Sequence, residues 1–203
     1  MTNLQEGVYA RREIDKGGSP MSDLYLVRHC APTLAGLKTG SLFTCPYQCR
    51  EELFRSIRRM NQRLLPKGLR VLPLRCSEHK ALIYIYRPKK LTRDLTDPAA
   101  AEILQQHGYD NKTCERSIVR LVHRLREQED FPHEIGLFLG YPPEDVCGFI
   151  ENRACNCKCV GCWKVYGDEE AARKKFAQYK KCTRIYCDQW AKGKEIERLT
   201  VSC

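Results

Sequence analysis

No apolar run in the chain approaches the roughly 20 residues that a bilayer-spanning helix needs. Met1–Gly18 carries Arg11, Arg12, Asp15 and Lys16 with no apolar stretch behind them, so no secretory signal is expected and a cytoplasmic location follows. There is no Gly-rich phosphate loop, no Gly-x-Gly-x-x-Gly fingerprint and no Gly-x-Ser-x-Gly elbow. By motif this sets aside P-loop nucleotide hydrolysis, a dinucleotide-binding Rossmann unit and the α/β-hydrolase triad. Internal repeats and low-complexity linkers are also missing. One compact domain is therefore expected over residues 23–203, after a loose leader (residues 1–22) ending in Gly17-Gly18-Ser19-Pro20.

What is present in excess is thiol and positive charge. Hydrophobic residues at 42% and charged ones at 30% give a globular balance, so the excesses sit on a folded protein. The 13 cysteines are an odd number in a chain with no export signal, which reads as reduced thiols in a strongly reducing cell such as an anaerobe's. The net charge of +10 favours polyanions in general. It is spread in pairs (Arg11-Arg12, Arg58-Arg59, Lys89-Lys90, Lys174-Lys175, Lys180-Lys181), however, as on solvated helix faces, so nucleic acid is not the expected partner.

Periodicity reads as α+β: a small antiparallel sheet packed against several helices. Leu24 to about Phe43 is an apolar, small-residue segment broken at Pro32. Leu53, Ile57, Met60 and Leu64 mark one face of a helix from about residue 47 to 65. Residues 69–76 read as a strand in which Pro73 signals an edge or a bulge, and residues 81–87 as a buried strand. Asp97, Pro98 and Gly108 are the start and stop signals of one helix, and Thr113 caps the next, whose inward residues are Ile118, Val122 and Leu125. Two short helices flank Tyr141-Pro142-Pro143. Residues 162–166 read as a strand of the sheet, and 195–201 as a possible last one. Between them a long helix starts at Asp168, with a core stripe of Ala172, Phe176, Tyr179, Thr183, Tyr186 and Trp190.

Four clusters carry chemistry. His29-Cys30 places an imidazole beside a thiol, where a positive neighbour would stabilise the thiolate; the plain alternative is a buried Cys and a hydrogen-bonded His. His133-Glu134 opens a short helix and offers a base with its orienting acid, or two metal ligands. Leu137 stands where a zinc protease has its second His, so that motif fails, and the plain alternative is helix capping. Cys155, Cys157, Cys159 and Cys162 lie within eight residues, with Cys-x2-Cys spacing at the end, and could hold zinc or iron. Cys45 and Cys49 form a second, looser pair. Lys180-Lys181-Cys182-Thr183-Arg184 sets cations around a thiol on what reads as a wet helix face.

Some of these residues lie in longer blocks. His29-Cys30-Ala31-Pro32-Thr33-Leu34-Ala35-Gly36-Leu37-Lys38 with Ser41-Leu42-Phe43 resembles a block of the bacterial family known as domain of unknown function 3793. So do Phe131 to Pro142 with Glu144-Asp145-Val146, Trp163-Lys164-Val165-Tyr166, and Tyr179-Lys180-Lys181-Cys182-Thr183. The resemblance spans about residues 24–190. It implies a small cytoplasmic protein, mainly of anaerobes, with no established activity and an association with iron and flavodoxin-type redox genes. A flavodoxin-type redox protein is the partner it implies. It also ranks His29, Cys30, His133 and Glu134 ahead of the Cys-rich loop, and the two blocks that carry them are expected to meet in one pocket. Three functions follow as expectations. The first is a metal- or redox-associated binding protein with thiol and imidazole ligands. The second is a cysteine-dependent acyl-transfer or thiol-exchange enzyme, with Cys30 attacking and His133 as base. The third is an anion or nucleic-acid binder.

Overall fold

The computed structural model describes residues 21–110, 113–127 and 130–202. The expected leader lies outside the described residues except at its end, where Met21 is buried in the core and Ser22 caps the first helix. The fold is α+β. A three-stranded antiparallel sheet has the order β1 (Gly40–Pro46), β3 (Lys80–Tyr86), β2 (Arg70–Cys76), and a separate two-stranded ribbon pairs β4 (Cys159–Val160) with β5 (Lys164–Val165).

The central strand explains the architecture. Ala81, Ile83 and Ile85 project to one face and Tyr84 and Tyr86 to the other, all buried, because successive side chains of a strand alternate. An apolar layer therefore has to cover each face. On the first lie α1 (Asp23–Leu34), α2 (Arg50–Leu64) and α9 (Ile196–Leu199), with α8 (Glu169–Ala191) against the outside of α1. On the second lie α3 (Pro88–Leu95), α4 (Pro98–Gln106), α5 (Cys114–Glu127), α6 (Ile135–Phe138) and α7 (Pro143–Glu151). A third, small core of Trp163, Val165, Ala172 and Tyr179 joins the ribbon to α8.

Local signals act as their chemistry requires. Asp97 accepts from the amides of Ala99 and Ala100, Thr113 from Arg116 and Asp168 from Ala171, each supplying an acceptor to a helix start. Pro73 lies in edge strand β2, and the register slips between Pro73 and Arg75.

Three expectations are corrected. The segment 24–43 is α1 followed by β1: Pro32 sits in the last turn of α1, where its missing N–H costs one bond, and its carbonyl accepts from Leu37 and Lys38 to turn the chain toward the sheet. Residues 162–166 hold only two strand residues, and they pair with β4 instead of joining the main sheet. The last segment, residues 195–201, forms the short α9, since buried Ile196 and Leu199 are three apart on one helical face.

Candidate functional site

His29 and Cys30 lie on α1, about 100° apart around the axis, and so part company. His29 is exposed against Tyr25 and Phe43, at ring-centroid distances of 4.4 and 6.0 Å, and burial together with Arg28 lowers its pKa. Cys30 is fully buried, and burial pushes its thiol far above the ordinary thiol range despite the bond to Ser41. A buried, protonated thiol is a poor nucleophile.

His133 and Glu134 stand on the other side of the sheet. Glu134 is 1% exposed and lies at the floor of a cleft of about 480 Å³, where it accepts from Tyr109 Oη at 2.9 Å and pairs with Arg124 at 2.7 Å. His133 is exposed at the wall, its ring edge-on to Phe149 at 4.9 Å. Cys30 belongs to the core of the first face and Glu134 to the polar floor beyond the second, so the sheet stands between them.

The expected shared pocket is therefore not formed, since neither His29 nor Cys30 lines the cleft of His133 and Glu134; the two segments touch instead at their far ends. Thr39 bonds Asp94 and packs on the backbone of Gly140, where a Cβ would stand 2.8 Å from Thr39 Oγ1 and where φ is +73°. Beside this contact the Lys38 ammonium turns inward over the Tyr141 ring, 5.1 Å from its centroid. Tyr141 stacks on Trp163 at 4.8 Å and donates to the Cys162 carbonyl at 3.2 Å. Trp163 meets Phe176 of α8 edge-on at 4.5 Å. Asp145 holds the ribbon in place: its carboxylate accepts from Trp163 Nε1 at 2.6 Å and from the Tyr166 and Gly167 amides at 2.7 and 2.8 Å.

The Lys38 ammonium has no carboxylate partner among the described residues. The acidic groups that act on it are the thiols of Cys162 and Cys30. Burial lowers its pKa to about 8, the two thiols opposing that shift. The Cys162 thiol is raised above its ordinary value by burial, and Lys38 holds part of that rise back. The lowered amine and the half-buried thiol thus shift one another's proton affinity in opposite directions.

Cys162 lies in the turn of the β4–β5 ribbon and Cys159 on β4, and both thiol side chains pack on the third core. Gly161 between them lies flat on Phe176, 2.2 Å from where a Cβ would stand. Ahead of this turn Cys155 is exposed and Cys157 half-buried, in a stretch where Arg153, Ala154 and Asn156 all have positive φ. Left-handed backbone on non-glycine residues costs on the order of 1 kcal/mol each and clusters at functional loops. The four thiols are not gathered as a ligand set: among the described residues no group of three or more His, Cys, Asp or Glu converges to hold a metal ion. Cys45 is buried in the first core and Cys49 precedes α2, two separate environments.

The model of the family described as Protein of unknown function (DUF3793) matches residues 26–200. The chain belongs to the DUF3793 family. No curated protein and no solved structure matches it. The DUF3793 segment contains both places described above, the Lys38 cage and the His133–Glu134 cleft. Each of the four blocks read in the sequence sends a residue to the cage: Lys38, Tyr141, Trp163 and Tyr179. Sequence reasoning passed over Lys38 because a lysine reads as surface by default; its signal was its place at the end of a block rich in small and apolar residues. Lys180 and Lys181 are exposed on α8, as a wet face requires, while Cys182 between them and Arg184 is buried. No helix among the described residues is long and apolar enough to cross a membrane.

Proposed function

We propose that this DUF3793 protein is a redox-associated thiol protein whose working pair is Cys159 and Cys162, with Lys38 as the base and counter-ion of Cys162. The observation that carries the reading is the Lys38 ammonium over the Tyr141 ring, unpaired with any carboxylate among the described residues and acted on electrostatically by the thiols of Cys162 and Cys30. Cys30, the thiol singled out in the sequence, is not the nucleophile, because it is fully buried where Cys162 is only partly so and a partner disulfide cannot reach it.

The chemistry is thiol–disulfide exchange with a partner disulfide, a small-molecule or protein one. Lys38 as free amine takes the Cys162 proton, and the thiolate attacks one sulfur of the partner's S–S bond. The other partner sulfur leaves as a thiolate and receives that proton from Lys38. Cys159 then loses its proton, attacks Cys162 of the mixed disulfide, closes Cys159–Cys162 and frees the second partner thiol. Two electrons pass from the pair to the partner disulfide. A flavodoxin-type protein is a one-electron carrier and could reach this dithiol only through an intervening disulfide reductase, so the direct partner proposed here is the disulfide.

The test is equilibration in glutathione redox buffers, with acid trapping and mass spectrometry of the peptides. A reversible Cys159–Cys162 disulfide is expected to form as one two-electron couple. A neighbouring cation shifts a thiol pKa by on the order of one unit, so Lys38→Met should slow exchange about tenfold at neutral pH and move the pH–rate profile upward. Failure of this disulfide to form at any poise, or an exchange rate unchanged by Lys38→Met, would overturn the reading.

A further inference from the structure

The cleft on the other face of the sheet has a floor that asks for a particular kind of ligand. Arg124 Nε lies 2.7 Å from Glu134 Oε1 but off the N–H direction, so it makes no aligned hydrogen bond, while Arg124 Nη1 donates to the His107 carbonyl at 3.0 Å. Tyr109 Oη occupies the same Glu134 oxygen at 2.9 Å. Among the described residues this leaves Arg124 Nη2 as a donor and Glu134 Oε2 as an acceptor, both without hydrogen-bond partners, on two residues that line the cleft. Glu134 is 1% exposed and the Arg124 side chain 14%, so water screens the two groups little.

The remaining lining is half polar and half flat. His107 Nδ1 meets the Ile103 carbonyl at 2.8 Å; a carbonyl only accepts, so Nδ1 carries a proton and the ring is held by it at the wall. Phe131, Pro132 and Ile150 supply apolar wall, Asp130 adds an exposed carboxylate, and the His133 ring is steadied edge-on against Phe149. The volume, about 480 Å³, falls within the roughly 300–1,000 Å³ of small-molecule sites.

Charge decides among ligands. The guanidinium and carboxylate at the floor cancel, and the other acidic lining residue, Asp130, is exposed where water screens it, so an anion reaching Arg124 meets Glu134 at close range and a cation reaching Glu134 meets Arg124. A neutral group that sets an acceptor beside an N–H donor satisfies both at once, with no charge to desolvate. We propose that this cleft is a binding site for a neutral, planar ligand bearing a carboxamide or lactam edge, its C=O on Arg124 and its N–H on Glu134, with the ring between His133 and the Phe131–Pro132 wall.

Three probes with one ring shape isolate the claim: benzamide (neutral, acceptor and donor), benzoate (anion, acceptors only) and benzamidinium (cation, donors only). They are titrated by NMR shift perturbation of the full chain, with uracil as a lactam arm to separate lactam from carboxamide sources. Benzamide, uracil or both are expected to bind in the cleft about tenfold tighter than benzoate or benzamidinium, the low end of the cost of leaving a buried polar group unsatisfied. Glu134→Gln keeps the acceptor for Tyr109 but turns the floor cationic, so the preference should pass to benzoate. His133→Ala, an exposed wall change that leaves the floor intact, should weaken the neutral probe several-fold. The proposal is overturned if none of the probes binds, if a charged probe binds the native chain as well as the neutral ones, or if His133→Ala leaves neutral-probe affinity unchanged. The native-chain comparison decides even where Glu134→Gln fails to fold.

Discussion

Arg87 shows how much one side chain can hold. It is 1% exposed, and its guanidinium donates to the carbonyls of Thr33 at 2.7 Å, Leu34 at 2.7 Å and Val201 at 2.8 Å, which ties the C-terminal end of α1 to the last segment of the chain. Arg87→Met would remove these charge-assisted bonds, leaving the Thr33 and Leu34 carbonyls only the amides of Gly36 and Val201, and a loss on the order of 3 kcal/mol is expected in urea unfolding. Lys38 makes a prediction of opposite sign. Its folded pKa of about 8 lies below the ordinary 10.5, so between those values the unfolded chain binds the extra proton and stability rises with pH. Lys38→Met removes a buried charge and should be the more stable chain at pH 7. The gap should narrow by up to about 1.4 kcal/mol per pH unit above pH 8, read by urea titrations from pH 7 to 9. A gap constant over that range would mean that the ammonium is not buried. Neither role was legible in the sequence, where Arg87 and Lys38 are two of many cations; burial made them singular.

At the scale of elements, the ends of helices were readable and their neighbours were not. Asp97, Thr113 and Asp168 cap because an N-cap is an interaction within four residues of chain, and the slipped register beside Pro73 follows from a missing backbone donor. The strand assigned to residues 195–201 failed because Ile196 and Leu199 had to meet α1 and α2 together, a demand made by distant elements. Gly148 shows the same kind of demand inside a helix. A Cβ there would stand 2.5 Å from both Cβ and Cγ of Tyr166, the stiff base of a side chain. Alanine ordinarily improves a helix, but Gly148→Ala should cost about 1–3 kcal/mol by forcing α7 off the β4–β5 ribbon. Thermal unfolding would show it, and an unchanged or raised Tm would mean that the two elements are not tightly packed.

The whole molecule stores protons on buried thiols and phenols. Burial raises Cys45 and Cys182 to about 11, and Tyr86, Tyr179 and Tyr186 to about 12, with Cys30 higher still. For each, the folded value exceeds the unfolded one, so its contribution is whole below the unfolded pKa and is lost as pH climbs toward the folded value. Stability under reducing conditions should therefore fall steeply from about pH 9 upward, with Lys38 pulling the other way. Urea midpoints that stay level from pH 8 to 10.5 would contradict this burial of the thiols. Composition, charge, the α+β pattern, the capped helices and the family blocks were determined by the sequence itself, because each rests on interactions between near neighbours or on totals. Which blocks meet was decided only by the tertiary structure. The sheet stands between Cys30 and His133, while the turn after α1 and the turn after α6 bring Lys38 to Tyr141 and Cys162, since a chain's local preferences carry no information about which distant surfaces must cover one another.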